Sequence, residues 1–378
     1  MQDKIWLSPP HMGGNEMTYV QEAYDTNWVA PLGKNVSEFE KSIAKYLDLN
    51  QASALIAGTA SIHLALILLG VKAGDEVIAQ SFTFSATVNP ILYLGATPIL
   101  IDSEEDTWNM SPLALRRAID DRISKGKKPK AIIPVHLYGM PAKMNEIKKI
   151  ADFYSIPIVE DAAEALGSKL NDKKMGTWGK LGVLSFNGNK IITTSGGGAL
   201  ISDDETLIER SRFLASQSRD DAPHYQHSEI GYNYRMSNIV AGIGRGQMEV
   251  IDERVEQRRK VNTWYKALLS EQEGITFHNE PTKNYYSNYW LTSIIVNPKE
   301  TGGVTNSDII LALEKENIES RPLWKPMHLQ PIFSKYPFYS TGVSKMLFEK
   351  GLCFPSGSNM SENDMQRIKT TLKQILKF

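Results

Sequence analysis

The chain has 378 residues, 42% of them hydrophobic and 22% charged, which is enough apolar material for a sizeable core and excludes disorder by composition. Its 42 Lys+Arg against 43 Asp+Glu leave no basic excess of the kind that marks nucleic-acid or anionic-membrane partners. A single cysteine, Cys353, excludes an intramolecular disulfide framework and any multi-cysteine zinc site, and fits a reducing compartment.

At about 150 residues per domain, the length predicts two or three domains, or one large domain with an appendage. The first ten residues carry an acid, two prolines and too short an apolar run for a signal peptide. The longest apolar stretch, residues 60–71, contains His63 and falls short of the ~20 residues of a membrane span. These features predict a soluble, cytoplasmic protein.

In chain order, Ala54-Leu55-Ile56-Ala57 reads as a strand. It leads through Gly58-Thr59-Ala60-Ser61 into a helix with Ile62, Ala65, Leu66 and Leu69 on one face. Val77-Ile78-Ala79 is a second strand, followed by Ser81-Phe82-Thr83-Phe84 and a helix. Further strands are expected at residues 98–102, 131–135, 156–159, 181–186 and 198–201, the last two as an adjacent pair. A helix is expected at 143–154. Buried strands separated by helices predict an α/β fold, a mainly parallel sheet with helices on both faces. Ligands of such sheets collect at the carboxyl ends of the strands. From about Met248 the pattern changes to a charged helix at 249–269, then strands near 289–296 and 351–355 and helices at 307–317 and 362–376. This predicts a large domain over 1–248 and a smaller one over 249–378.

The strand ends carry the candidate chemistry. Lys190 follows an apolar strand in Ser185-Phe186-Asn187-Gly188-Asn189-Lys190 and has apolar and small neighbours. A partly desolvated lysine is a Schiff-base nucleophile; a solvated surface lysine is the other reading. Asp161 ends a strand as a cofactor partner or as a helix N-cap. Gly58-Thr59-Ala60-Ser61 is a phosphate cradle or ordinary capping. Together, an amine, a carboxylate and a phosphate cradle match the needs of pyridoxal phosphate (PLP). His224 and His227 have no third ligand nearby in the sequence, so they read as loop residues and no metal is expected.

Six segments make the chain resemble the DegT/DnrJ/StrS-type sugar aminotransferases, fold-type I PLP enzymes. They are Gly58–Ser61, Ser81–Ala86, Val135–Gly139, Val159–Ala165, Ser185–Lys190 and Gly231–Ser237, in family order. The resemblance implies a mainly parallel seven-stranded sheet and a smaller C-terminal α/β domain. It implies Lys190 as the lysine that carries PLP and Asp161 as the partner of the ring nitrogen. Thr59, Ala60 and Ser185 become phosphate ligands, Phe84 an aromatic stacked on the ring, and Glu164 a polar residue close to the cofactor. Asn233 matches an asparagine that reaches the phosphate of a neighbouring subunit, so a homodimer with shared active sites is implied. Family dehydratases carry histidine at the lysine position; Lys190 favours transamination.

Residues 320–330 and 353–360 resemble the transaminases of UDP-4-keto-6-deoxy-N-acetylglucosamine, which supply bacillosamine- or legionaminic-acid-type surface glycans. Arg321 and Lys325 suit a diphosphate, Trp324 a base or sugar face, and His328 a substrate contact. Surface charges with a packed tryptophan are the alternative. L-glutamate as amino donor is implied by the family. Other nucleotide sugars, and a silent PLP-binding regulatory protein, are the rival readings.

Overall fold

The computed structural model describes residues 3–377. Seven strands build its main layer: β1 (Gln51–Leu55), β2 (Glu76–Gln80), β3 (Thr97–Ile101), β4 (Ala131–Ile133), β5 (Val159–Asp161), β6 (Leu181–Ser185) and β7 (Gly198–Ser202). The pairing orders them β3-β2-β4 and β5-β6-β7-β1, and parallel bridges Ile132↔Ile158 and Val135↔Asp161 join the two groups. Only β7 runs antiparallel to its neighbours β6 and β1. Apolar side chains on both faces of these short strands are buried under helices, which is why the strands read as near-continuous hydrophobic runs.

The strand expected at 156–159 forms its ladder with β6 three residues later, over Val159–Asp161. Pro157 has no N–H and serves only as an acceptor, its carbonyl taking the Ile132 N–H at 3.0 Å. Asp161 closes this ladder, at the strand end where the sequence reading has it.

Besides a small three-stranded sheet of Lys169–Leu170, Lys173–Lys174 and Tyr285–Tyr286, the later part of the chain adds β8 (Ile275–Phe277), β9 (Thr292–Val296), β10 (Arg321–Pro322), β11 (Phe338–Tyr339) and β12 (Gly351–Phe354). Four of them form an antiparallel sheet, β8-β9-β12-β10, against helices Asn306–Lys315 and Glu362–Leu376. Two segments cross the division expected at 248/249. Ile5 packs into the C-terminal core, whereas β11 extends the main sheet by pairing with β3. A further core of Phe82, Tyr138, Trp290 and Leu323 lies where the two parts meet, at the strand ends.

Helix Asn238–Glu249 had no counterpart in the hydrophobic pattern, because Gly242, Gly244 and Gly246 interrupt it. The glycines are there for close packing. A Cβ on Gly246 would sit 2.7 Å from the backbone N of Glu16, and one on Gly244 would sit 2.7 Å from the Phe39 ring. Gly→Ala in a helix ordinarily gains about 1 kcal/mol. Gly246→Ala is expected to lose about 1–3 kcal/mol instead, because backbone must move. Urea denaturation measures this, and a variant as stable as the parent would refute it.

Candidate active site

The carboxyl ends of β1, β5 and β6 open into a cavity of ≈ 290 Å³. Its floor is the start of helix Gly58–Leu68. Ala57 precedes that helix and has no side chain to cap it. A Cβ on Gly58 would lie 3.1 Å from Ser185 Cβ, so glycine lets the helix start press against the end of β6. Thr59 and Ser185 line the cavity; Ala60 is buried just behind it, outside the lining. First-turn N–H groups with a positive helix end beside two hydroxyl side chains suit a phosphate.

Asp161 is 6% exposed at the end of β5. Its Oδ2 accepts the Thr87 hydroxyl at 2.7 Å and its Oδ1 accepts the Ala163 N–H at 3.2 Å. No helix starts after it, so the capping alternative falls away. Thr83 donates in turn to Thr87 (2.7 Å), a buried relay that fixes the carboxylate.

Lys190 is largely buried. Its Nζ lies 3.4 Å from Glu164 Oε1 and 4.4 Å from the centre of the Trp290 ring. The other Glu164 oxygen accepts the Tyr138 N–H at 2.7 Å. Burial pushes the Glu164 carboxyl up to about 7, against the pull of the Lys190 ammonium and the Tyr138 N–H; Asp161 adds to the rise.

Phe84 lines the mouth of the cavity, 57% exposed, its ring 5.4 Å from that of Trp324. Trp324 is thus the one substrate candidate in the cavity wall, held by its N–H to Tyr138 Oη at 3.0 Å. The structure gives the other three different surroundings. Arg321 is exposed and paired with Glu319, Nη2 to Oε1 2.8 Å. Lys325 is exposed. His328 exchanges a hydrogen bond with Ser81 (2.8 Å) and stacks on Phe338 at 3.6 Å. Asn233 is exposed, bridged to Ser216, and does not line the cavity of its own chain.

Trp290, Thr87 and Tyr138 were not singled out in the sequence. Trp290 looked like the start of a strand, and a lone aromatic there carries no signal. His136 is structural: it accepts the Ala142 N–H at Nδ1 (3.1 Å), so Nε2 carries the proton donated to Glu160 (2.9 Å). Glu160 also accepts the N–H groups of Gly176, Trp178 and Gly179, which closes the loop before β6.

An amine, a carboxylate, an anion cradle and flat apolar walls fit PLP, and the fold and site together define a fold-type I PLP-dependent aminotransferase. Residues 10–373 match the DegT/DnrJ/EryC1/StrS aminotransferase family, and the chain belongs to it. It is a sugar aminotransferase. The Bacillus subtilis (strain 168) protein EpsN, whose name describes a pyridoxal phosphate-dependent aminotransferase, is 54% identical over 99% of this chain and 96% of its own length. The GDP-perosamine synthase of Caulobacter vibrioides is 36% identical over 99% of this chain and 98% of its own. A family aminotransferase from Brucella abortus has a solved structure with a TM-score of 0.88 at 28% identity, covering 95% of each chain. Among the described residues no helix is long and apolar enough to cross a membrane.

The raised carboxyl of Glu164 has a consequence for stability. Between the ordinary carboxylate range and about 7, the folded protein holds a proton here that the unfolded chain has released. Stability contributed by this site therefore falls as pH rises through that window. In cofactor-free protein, Glu164→Gln removes this slope. The variant's Tm is expected to gain on wild type between about pH 5 and pH 7. Parallel Tm–pH curves would refute the assignment.

Proposed function

We propose that the chain transfers the amino group of L-glutamate to carbon 4 of a UDP-4-keto-6-deoxy-N-acetylhexosamine. The product is UDP-4-amino-4,6-dideoxy-N-acetylglucosamine, made in the cytoplasm for surface glycans. The observation that carries this reading is the position of Trp324, which brings the segment resembling UDP-sugar transaminases to the cavity mouth beside Phe84.

Bound PLP supplies an electron sink for the carbon that gains or loses the proton. The chain supplies the rest. Lys190 Nζ would hold the cofactor's aldehyde group and, once freed from it, would move the proton as base and acid in turn. Asp161, fixed by Thr87, pairs with the ring nitrogen. Thr59, Ala60 and Ser185 take the phosphate. Phe84 would cover one face of the ring, and Glu164 would keep a proton within reach of Lys190. In the homodimer we propose, Asn233 of the partner subunit completes the phosphate site. Arg321, Lys325 and His328 meet the sugar nucleotide beyond the cavity, with Trp324 against its base or sugar.

A second reading is a GDP-sugar acceptor such as GDP-4-keto-6-deoxymannose, which the similarity to a GDP-perosamine synthase favours. The two separate in one assay. Glutamate should bleach the absorbance of the bound cofactor, and the UDP-4-keto sugar should restore it faster than the GDP- or dTDP-4-keto sugars. Faster return with the GDP sugar replaces the first reading by the second. Lys190→Ala should lower turnover by ~10²–10⁴-fold or more, from loss of acid–base transfer alone.

A further inference from the structure

Arg258 lies on helix Ile251–Leu268 and is fully buried. It has no carboxylate partner among the described residues. Its Nη1 donates to the carbonyls of Trp290 (2.6 Å) and Ser356 (3.1 Å), and its Nη2 donates to Ser8 Oγ at 3.0 Å. Burial, and then the charge of Arg254, hold its pKa down near 9. A buried guanidinium without a counter-ion is costly, and its retention asks for a reason beyond packing.

The reason lies one bond further on. Ser8 accepts from Arg258 and therefore has its own proton free to donate, which it gives to the carbonyl of Asn189 at 2.6 Å. Trp290, anchored by Arg258 through its carbonyl, donates its Nε1–H to the same Asn189 carbonyl, also at 2.6 Å. Asn189 directly precedes Lys190. Two short hydrogen bonds thus fix the peptide plane from which the lysine side chain departs. The Trp290 ring that donates one of them is also the face over which Lys190 Nζ rests.

We propose that Arg258 is a positioning residue for Lys190, acting through Ser8 and Trp290 on the Asn189 carbonyl. The inference rests on Lys190 being the PLP lysine. A four-carbon stem amplifies any tilt at its root, and proton transfer tolerates little misplacement of the amine. Ser8 comes from the N-terminal segment and Arg258 from the C-terminal half, so the arrangement also makes lysine geometry depend on both being docked.

The test uses Ser8→Ala, which removes one donor with little change in volume. Trp290→Phe keeps a ring beneath the amine and removes the other donor. Each should lower kcat on the order of 10-fold with KM for glutamate changed less than about 2-fold. In cofactor-free protein, competitive acetylation read by mass spectrometry should show Lys190 labelled several-fold faster than in wild type, relative to exposed lysines. Arg258→Lys should repeat both effects if it folds; if it does not, the first two variants decide. A lower Tm with unchanged kcat and unchanged Lys190 labelling would make the network structural only and overturn the proposal. Borohydride reduction of wild-type holoenzyme keeps the two ideas apart. Label on a residue other than Lys190 sinks the lysine assignment itself. Label on Lys190, with wild-type behaviour in Ser8→Ala, sinks only the relay.

Discussion

Asn288 is buried where the two parts of the chain meet, and each polar atom of its side chain is engaged. Its Nδ2 donates to the carbonyls of Glu164 (2.8 Å) and Leu166 (2.9 Å), and its Oδ1 accepts the N–H of Trp290 at 2.9 Å. Its own N–H goes to Ser168 Oγ, which in turn holds the Gly139 carbonyl. Glu164 and Trp290 are the two groups in contact with the Lys190 amine, so one asparagine sets both. The fit leaves no slack: at Gly139, with φ +90°, a Cβ would come 1.8 Å from Asn288 Oδ1. Tyr138 before it adopts φ +55°, a conformation that costs a bulky residue energy and is held by its surroundings. That turn aims the Tyr138 N–H at Glu164 and its hydroxyl at the N–H of Trp324.

Three acids within five positions, Glu160, Asp161 and Glu164, show how the environment divides labour. Glu160 is surrounded by three backbone N–H groups and a histidine, and serves the loop before β6. Asp161 has a hydroxyl and one N–H, and keeps its carboxylate at the cavity. Glu164 has a single N–H and a lysine amine 3.4 Å away in a buried place, so burial outweighs its partners and the proton is held more tightly. A carboxyl raised by burial beside an amine suits the proton transfers of the proposed reaction.

The strand ends were legible because their physics is local. An apolar run followed by Gly58-Thr59-Ala60-Ser61, or by Glu160-Asp161, announces a buried strand and then polar atoms at its end. The same is true of Lys190 after β6. What stayed hidden depends on residues far apart in sequence. Trp290 gains meaning only from Asn189, a hundred positions earlier, and Arg258 only from Ser8 and Trp290. Helix Asn238–Glu249 was illegible for a different reason: its glycines make room for the backbone and side chains of its neighbours, so the pattern that marks a helix face is missing. The N-terminal helices Glu16–Asp25 and Lys34–Tyr46, which those glycines receive, went unread with it.

Under the proposed function, cofactor chemistry and acceptor recognition rest on different material in this molecule. The two carboxylates are buried and hydrogen-bonded, the amine rests half-buried against Glu164, and the phosphate cradle is a half-buried helix start beside the end of β6. The acceptor side is Phe84 and Trp324, two rings at an open mouth, with Arg321 a few positions away on the short edge strand β10. Arg321 now faces Glu319, and its side chain is 64% exposed. An exposed ion pair of this kind is worth about 0–1 kcal/mol, so the guanidinium is released at little cost. A diphosphate offers it charge-assisted hydrogen bonds worth about 1.5–3 kcal/mol. Under the proposed function, this balance would let the guanidinium leave Glu319 for the diphosphate of the sugar nucleotide. Recognition that rests on exposed groups around a buried, hydrogen-bonded centre can change its sugar without disturbing Lys190, Glu164 or Asp161.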